Sequence, residues 1–142
     1  MKIFSMKECI EAGIIKEVPE DIQRTKSLVN LAILRQEFWE QKHARKFSVL
    51  KIEAYYEIIK ELAFALMYKE GFSSSNHLCM LAFLNDTFIH NEYEIRKVSE
   101  LCRVRSDINY RGVQVPQSYL EQNEMEFKHT INLLQGRIKE IN

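Results

Sequence analysis

The residues best suited to chemistry lie in one short stretch, 105–111, which reads Arg-Ser-Asp-Ile-Asn-Tyr-Arg. The planar guanidinium of an arginine binds two oxygens of one phosphate or carboxylate through paired hydrogen bonds. Asn109 adds an amide, Tyr110 adds a ring that can stack on a base, and Arg111 adds a second positive charge. The stretch is therefore a candidate phosphate site, with Arg105 as the main ligand and Asn109, Tyr110 and Arg111 at the same end of the helix.

The position of Arg105 on its helix sets it apart from the other arginines. At about 100° per residue it falls near the middle of an apolar face, with Asn109 beside it. That face is formed by Ile95, Val98, Leu101, Cys102, Val104 and Ile108. One interpretation is a buried arginine paired with a carboxylate, for which a glutamate from the central helix is the candidate. The other is an arginine that lines a cleft between two protomers and binds phosphate there.

The remaining reactive side chains have simpler explanations. His77 and Cys79 are close in sequence, but no cysteine or histidine spacing matches a zinc pattern, so we expect helix capping and core packing, with no metal and no cofactor. The basic run 42–46 is typical of a solvated helix C-terminus. Of the adjacent Tyr55 and Tyr56, we expect at least one ring in the core, and the other is a candidate to meet Arg105.

Charge and cysteine content restrict the class of protein. Twenty basic and twenty acidic side chains cancel, so the chain has no global field that would hold nucleic acid or an anionic membrane, and any polyanion site must be local. Three cysteines without a CxxC motif favour a reducing cytoplasm over a disulfide framework. The N-terminus shows no signal-peptide pattern and no apolar run is long enough to span a membrane. We therefore expect a cytoplasmic protein without a membrane partner.

The scarcity of glycine and proline predicts the fold class. A chain of 142 residues with average usage would have about ten glycines and seven prolines, and this one has four and two. Sandwiches and barrels need frequent turn residues, and many nucleotide-binding α/β folds need glycine-rich loops. The sequence instead predicts a single all-α domain over residues 1–142, an antiparallel bundle of four to five main helices plus a short N-terminal helix.

Capping residues and breakers mark the helix boundaries. Ser5 with Glu8 predicts a capping box before a short helix that Gly13 closes. We expect the later helices to be capped by Asn76, by Asn91 with Glu94, and by Ser118 with Glu121, with stops at Gly71 and Gly112. The expected main helices span about 19–46, 49–70, 77–85, 92–109 and 118–141.

Periodicity indicates how these helices pack. The last helix carries one apolar stripe, which lays a single face on a core: Leu120, Phe127, Ile131, Leu134, Ile138 and Ile141. The helix over 49–70 is apolar nearly all round, apart from a narrow strip that includes Glu57 and Lys60, so we place it at the centre of the bundle. Its wide apolar surface also makes a helix-mediated homodimer plausible.

The stretch 105–112 on the penultimate long helix resembles the signature region of the HEPN superfamily, the higher eukaryotes and prokaryotes nucleotide-binding domain. Residues 11–19 are similar to the leader of many archaeal and bacterial members, and residues 69–84 resemble their junction between the third and fourth helices. With the order of helices, the resemblance covers most of the chain. It implies an all-α bundle that pairs into a homodimer, with the arginine helices facing one another across a polar cleft.

The resemblance also implies a set of functions. Members are often RNases of toxin–antitoxin, defence or RNA-processing systems, whereas others partner minimal nucleotidyltransferases or bind nucleotides without cleaving. Active members carry an arginine, usually a polar residue next, and then a histidine after four to six intervening residues. Here Arg105 and Ser106 fit, but Tyr110 stands where the histidine is expected, and none of the four histidines follows an arginine at that spacing.

This substitution bears on cleavage. Imidazole transfers protons near pH 7 because its pKa is about 6.5, whereas a tyrosine pKa of about 10 makes a poor base there. Without a proton-transfer partner the expected rate falls by about 10²–10⁴. We therefore expect a dimeric module that binds nucleotide or RNA phosphate, with RNA, a nucleotide and a minimal nucleotidyltransferase as candidate partners. The alternatives are a metal-independent endoribonuclease that uses Arg105 with Tyr110 as an acid or with a histidine from elsewhere in the dimer, or a purely structural helical dimer.

Overall fold

The computed structural model describes residues 4–140, and in this range the chain forms an all-α helical bundle with one very small sheet. The prediction of a short N-terminal helix followed by a bundle of main helices is confirmed. The elements are α1 (Met6–Glu11), β1 (Ile15–Glu17), α2 (Ile22–Glu40), a one-turn 3-10 helix (Arg45–Phe47), α3 (Ser48–Lys69), β2 (Phe72–Ser74), α4 (His77–Thr87), α5 (Glu92–Arg111) and α6 (Gln117–Glu140).

Several of the predicted helix boundaries are confirmed by capping contacts. Ser5 and Glu8 form the expected reciprocal capping box at α1. The side chain of Asn76 accepts a hydrogen bond from the backbone N–H of Cys79 and so caps α4. Gly112 ends α5 in the left-handed conformation, with a φ of 62°, which a residue with a side chain rarely adopts.

Other predicted boundaries are wrong. α2 begins at Ile22, with Asp21 as its N-cap, and it ends at Glu40 rather than near Lys46. The chain turns at extended Gln41 and folds back, so that the His43 ring hydrogen-bonds the carbonyl of Phe38 at 2.8 Å. The side chain of Asn91 makes no capping hydrogen bond to α5, and α6 begins at Gln117, one residue before the predicted Ser118 cap. Ile141 lies outside the described residues.

The two strands were not predicted. β1 and β2 pair antiparallel, with Ile15 opposite Ser74 and Glu17 opposite Phe72. Strands of three residues carry too little alternation to be recognised in a sequence. The pairing joins the chain before α2 to the connection between α3 and α4, and it therefore fixes the start of α4 against the rest of the bundle.

The helix α3 runs through the centre of the bundle, as predicted. It packs against α2 and α6 along most of its length and also contacts α4 and α5. Its buried side chains, including Ile52, Ile59, Leu62 and Leu66, form one core cluster with residues of α4, α5 and α6. The predicted stripe of α6 is buried at Leu120, Phe127, Ile131, Leu134 and Ile138.

The cysteine prediction needs correction. The sulfur atoms of Cys9 on α1 and Cys79 on α4 form a disulfide across a sequence separation of 70 residues, and buried Cys102 is free. Three cysteines allow one disulfide and one free thiol. The spacing of 70 residues between Cys9 and Cys79 does not show that α1 packs on α4. The cysteine argument for a reducing compartment therefore does not hold, and a cytoplasmic location stays a prediction. Within residues 4–140, no helix is long and apolar enough to cross a membrane.

Candidate functional site

Arg105 lies on α5 and points its side chain at the central helix α3. The guanidinium carbon is 4.9 Å from the centre of the Tyr56 ring, and Nη2 is 3.6 Å from Oε1 of Glu57. The side chain of Arg105 keeps 24% of its surface exposed. A glutamate of the central helix is thus the partner of Arg105 within one chain, and the expected contact between Arg105 and one of the two adjacent tyrosines is made by Tyr56.

Glu57 is shared between two positive charges. Nζ of Lys60 is 2.8 Å from Oε2 of Glu57, while Arg105 approaches Oε1. Residues three apart lie on the same face of a helix, so α3 places Glu57 and Lys60 side by side below α5. Lys60 also lies 5.7 Å from the centre of the Tyr56 ring. The Glu57 carboxylate therefore lies between the positive charges of Arg105 and Lys60, and both of these charges lie near the Tyr56 ring.

His77 lies near enough to Arg105 and Lys60 for their charges to act on its imidazole. It is the first residue of α4 and is half-buried. Burial lowers the pKa of His77 below its ordinary value of 6.5, and the charges of Arg105 and Lys60 lower it further. The imidazole is consequently neutral at pH 7. We call Arg105, Tyr56, Glu57, Lys60 and His77 the Arg105 site, and the formal charges of its members leave one positive charge in excess.

Two weakly acidic groups near Arg105, the Tyr56 hydroxyl and the Cys102 thiol, stay protonated at neutral pH. Burial raises the pKa of Tyr56 to about 12, and burial likewise raises the pKa of the Cys102 thiol to about 12, in both cases against the lowering effect of Arg105. Neither group is available as a base or a thiolate near pH 7. Tyr56 therefore supports the guanidinium with its ring, and the buried thiol of Cys102 adds no charge.

The other three predicted binding residues lie in solvent at the end of α5. Asn109 is exposed, and Tyr110 has 81% of its surface exposed. Arg111 pairs only loosely with Asp107 on its own helix, Nη1 to Oδ1 at 3.9 Å. At about 100° per residue, Asn109 lies within about 40° of Arg105 and one turn further on, whereas Arg111 projects from a different side. Contact of these three residues with a ligand stays a prediction.

Two glutamates of α3 that lie one turn apart pair with arginines on different helices. Glu61, one turn after Glu57, is buried and binds Nε of Arg35 on α2 with both carboxylate oxygens, at 2.8 and 3.1 Å. Burial raises the pKa of Glu61, and Arg35 opposes that shift. The polar strip on α3 is thus divided: Glu61 joins α3 to α2, while Glu57 faces α5.

Sequence reasoning did not place Lys60 or His77 in the site. The polar strip on the central helix was visible, but its rotation relative to α5 was not. His77 was interpreted as a helix-capping or core residue, because a search for a histidine at a fixed spacing after Arg105 cannot find one that another helix supplies. In the part of the chain that the structure describes, no group of three histidine, cysteine or acidic side chains is arranged to hold a metal ion.

Comparisons with known proteins add no relative: no protein-family model, no curated protein and no solved structure matches this chain. The Arg105 site is therefore interpreted from its own geometry. The resemblance of residues 105–112 to the HEPN superfamily stays a proposal.

Proposed function

We propose that this chain is a HEPN-like helical module that binds the phosphate of a nucleotide or of RNA at the Arg105 site. The observation that supports the proposal is the setting of the guanidinium. It stacks on Tyr56 beside a carboxylate that two cations share, and it stays partly open to solvent. An arginine held in this way is oriented before a ligand arrives, which reduces the entropy lost on binding.

The contact between Arg105 and Glu57 leaves binding capacity unused. A charge-assisted hydrogen bond from nitrogen to oxygen is about 2.7–2.9 Å long, and the distance here is 3.6 Å. Among the described residues, Arg105 has no hydrogen bond within the usual limits. Its five N–H donors are therefore available to a phosphate, and Lys60 already neutralises Glu57 at 2.8 Å.

The exposed end of α5 extends the proposed site along the helix. With phosphate on Arg105, the amide of Asn109 lies one turn away on nearly the same face. Tyr110 lies about 140° around the helix from Arg105, so its ring can stack only on a base further along the ligand. Stacking of a base on an aromatic ring contributes about 1–3 kcal/mol. The resemblance to HEPN proteins adds a minimal nucleotidyltransferase, or the other member of a toxin–antitoxin pair, as a proposed partner.

Binding of a fluorescent single-stranded oligoribonucleotide tests the proposal. The Arg105→Ala variant is expected to lose at least about tenfold in affinity, because a hydrogen bond to a charged group contributes about 1.5–3 kcal/mol. Arg103→Ala is the matched control, since Arg103 is an exposed arginine on the same helix. Equal affinities for the wild type and the Arg105→Ala variant would refute the proposal.

A metal-independent endoribonuclease is the second candidate, and the position of His77 favours it. An imidazole whose pKa is lowered by burial and by the charges of Arg105 and Lys60 has the protonation state that a base needs to accept the proton of a ribose 2′-hydroxyl. Arg105 would stabilise the charge that develops on the phosphate. This assignment replaces Tyr110 with His77 as the candidate proton-transfer group.

Cleavage by the purified protein in EDTA distinguishes the two candidates. If the chain is a nuclease, it cleaves RNA, and the His77→Gln and Arg105→Ala variants each lose about 10²-fold or more in rate. If it only binds, the wild type and both variants leave RNA intact while the binding assay still distinguishes them. His129→Gln is the control, because His129 pairs with Glu94, outside the Arg105 site.

A further inference from the structure

α2 exposes an apolar stripe that is turned away from its core-facing residues. Thr25 and Ala32 are its buried side chains, and they face the bundle. Leu31, Leu34 and Phe38 lie on the other side, and Leu34 and Phe38 have 61% and 53% of their surface exposed. Single exposed leucines are ordinary, but three large side chains at positions i, i+3 and i+7 form one continuous stripe along a helix. We call Leu31, Leu34 and Phe38 the α2 stripe.

The exposed charges of α2 are separated by sign along the helix. Arg24 and Lys26 lie in the N-terminal half, and Glu37 and Glu40 lie in the C-terminal half, all four exposed. The remaining ionised side chain within α2, Arg35, is paired with Glu61 inside the bundle. A helix that is basic at one end and acidic at the other is complementary to itself when a second copy lies antiparallel, and not when it lies parallel.

Helix geometry places the complementary charges opposite one another. At about 100° per residue, Lys26 and Glu37 lie on the same flank of the stripe, about 20° apart around the helix and about 16 Å apart along it. In an antiparallel pair, equal flanks of the two helices meet. When the twofold axis passes near Leu31, Lys26 of each copy faces Glu37 of the other copy. The dimer then contains two such contacts, which the symmetry makes identical.

The same alignment places an apolar contact at its centre. With the axis near Leu31, the two copies of Leu31 meet each other, and Phe38 of one copy lies opposite Arg24 of the second copy. The charges on α2 therefore favour one antiparallel arrangement, with Leu31 at its centre.

We infer that α2 is a homodimer interface, and that the α2 stripe is covered by α2 of a second copy lying antiparallel. This surface is on a different helix from Arg105 and does not depend on the proposed phosphate site. It also differs from the dimer that the HEPN resemblance implies, in which the arginine helices α5 face each other.

Sedimentation equilibrium of the full chain over about 1–200 µM tests the interface. The wild type is expected to show a monomer–dimer equilibrium, and Leu34→Glu is expected to raise the dissociation constant at least about tenfold, because the two Leu34 side chains are buried in the dimer. Met125→Glu is the matched control, since Met125 is an 81% exposed side chain on α6. A monomer throughout the range, or equal effects of the two variants, would overturn the inference.

Charge reversal tests the antiparallel arrangement. Lys26→Glu and Glu37→Lys each convert two attractive contacts into repulsive ones, and each is expected to weaken the dimer about tenfold. The double variant restores both contacts in the opposite sense and is expected to return to within about threefold of the wild type. A double variant weaker than either single variant would contradict the arrangement, and a circular dichroism melt of each variant verifies that it is folded.

Discussion

Replacing Glu57 by glutamine is expected to tighten phosphate binding at the Arg105 site. The change keeps the size of the side chain but removes the one negative charge that stands beside Arg105 and Lys60. If Arg105 served only the fold, removal of its carboxylate partner would lower the stability of the protein and would leave phosphate affinity unchanged. The variant therefore separates a ligand-binding arginine from an arginine that serves the fold.

The size of the effect follows from the geometry. Oε1 of Glu57 is 3.6 Å from Nη2 of Arg105. A phosphate oxygen bound to Nη2 at about 2.8 Å would lie within about 6.4 Å of that carboxylate. Two unit charges at this distance repel by about 0.6 kcal/mol in water and by about 2.6 kcal/mol at an effective dielectric constant of about 20. Removing the repulsion corresponds to about three- to eightyfold tighter binding.

Titration of a short oligoribonucleotide at constant ionic strength measures this change. Glu94→Gln is the matched control: Glu94 has a 19% exposed side chain against 23% for Glu57, and it also pairs with a basic side chain, His129. The control variant changes net charge equally but on the far part of α5, so its affinity should stay within about twofold of the wild type at moderate salt. An affinity of the Glu57→Gln variant equal to or below that of the control would refute the reasoning.

Three further predictions concern stability and pH. Reducing the Cys9–Cys79 disulfide, which closes 70 residues, is expected to lower the free energy of unfolding by about 4 kcal/mol, measured by urea denaturation with and without reductant. Because the pKa of His77 is lower in the folded chain, the unfolded chain takes up its proton first, so stability falls as pH drops below about 6.5, and the His77→Gln variant should lose that part of the fall. Phe127→Ala, at a site buried between Tyr55 and Tyr119, should cost about 3–5 kcal/mol by the same denaturation assay, and a cost below about 1 kcal/mol would contradict the described core.

The helices were predictable because local signals mark them. Ser5, Asn76 and Gly112 cap or end helices through contacts within a few residues, which a sequence displays directly. The end of α2 was mispredicted because a contact between His43 and the Phe38 carbonyl turns the chain where the charge pattern suggested that the helix continues. The pairing of β1 with β2 depends on residues far apart in sequence, and three-residue strands give no periodic signal.

The site was predictable in part for the same reason. The place of Arg105 on the apolar side of its helix follows from periodicity alone. The cost of burying an unpaired charge made a glutamate of the central helix one of its two candidate partners. Which glutamate it is depends on the rotation of α3 against α5, and Glu57 rather than Glu61 has that orientation. His77 joins through α4, whose position depends on β2 and on the disulfide, and neither was predicted.

The measurement that tests the phosphate-binding proposal most directly is a nuclear magnetic resonance titration of the ¹⁵N-labelled protein with a short oligoribonucleotide. The account predicts that the side-chain Nε–Hε signal of Arg105 shifts with ligand concentration, together with the signals of His77 and Lys60. It also predicts that added salt reverses these shifts as the affinity falls. Saturable shifts elsewhere on the chain, with the Arg105 signal unmoved, would contradict it.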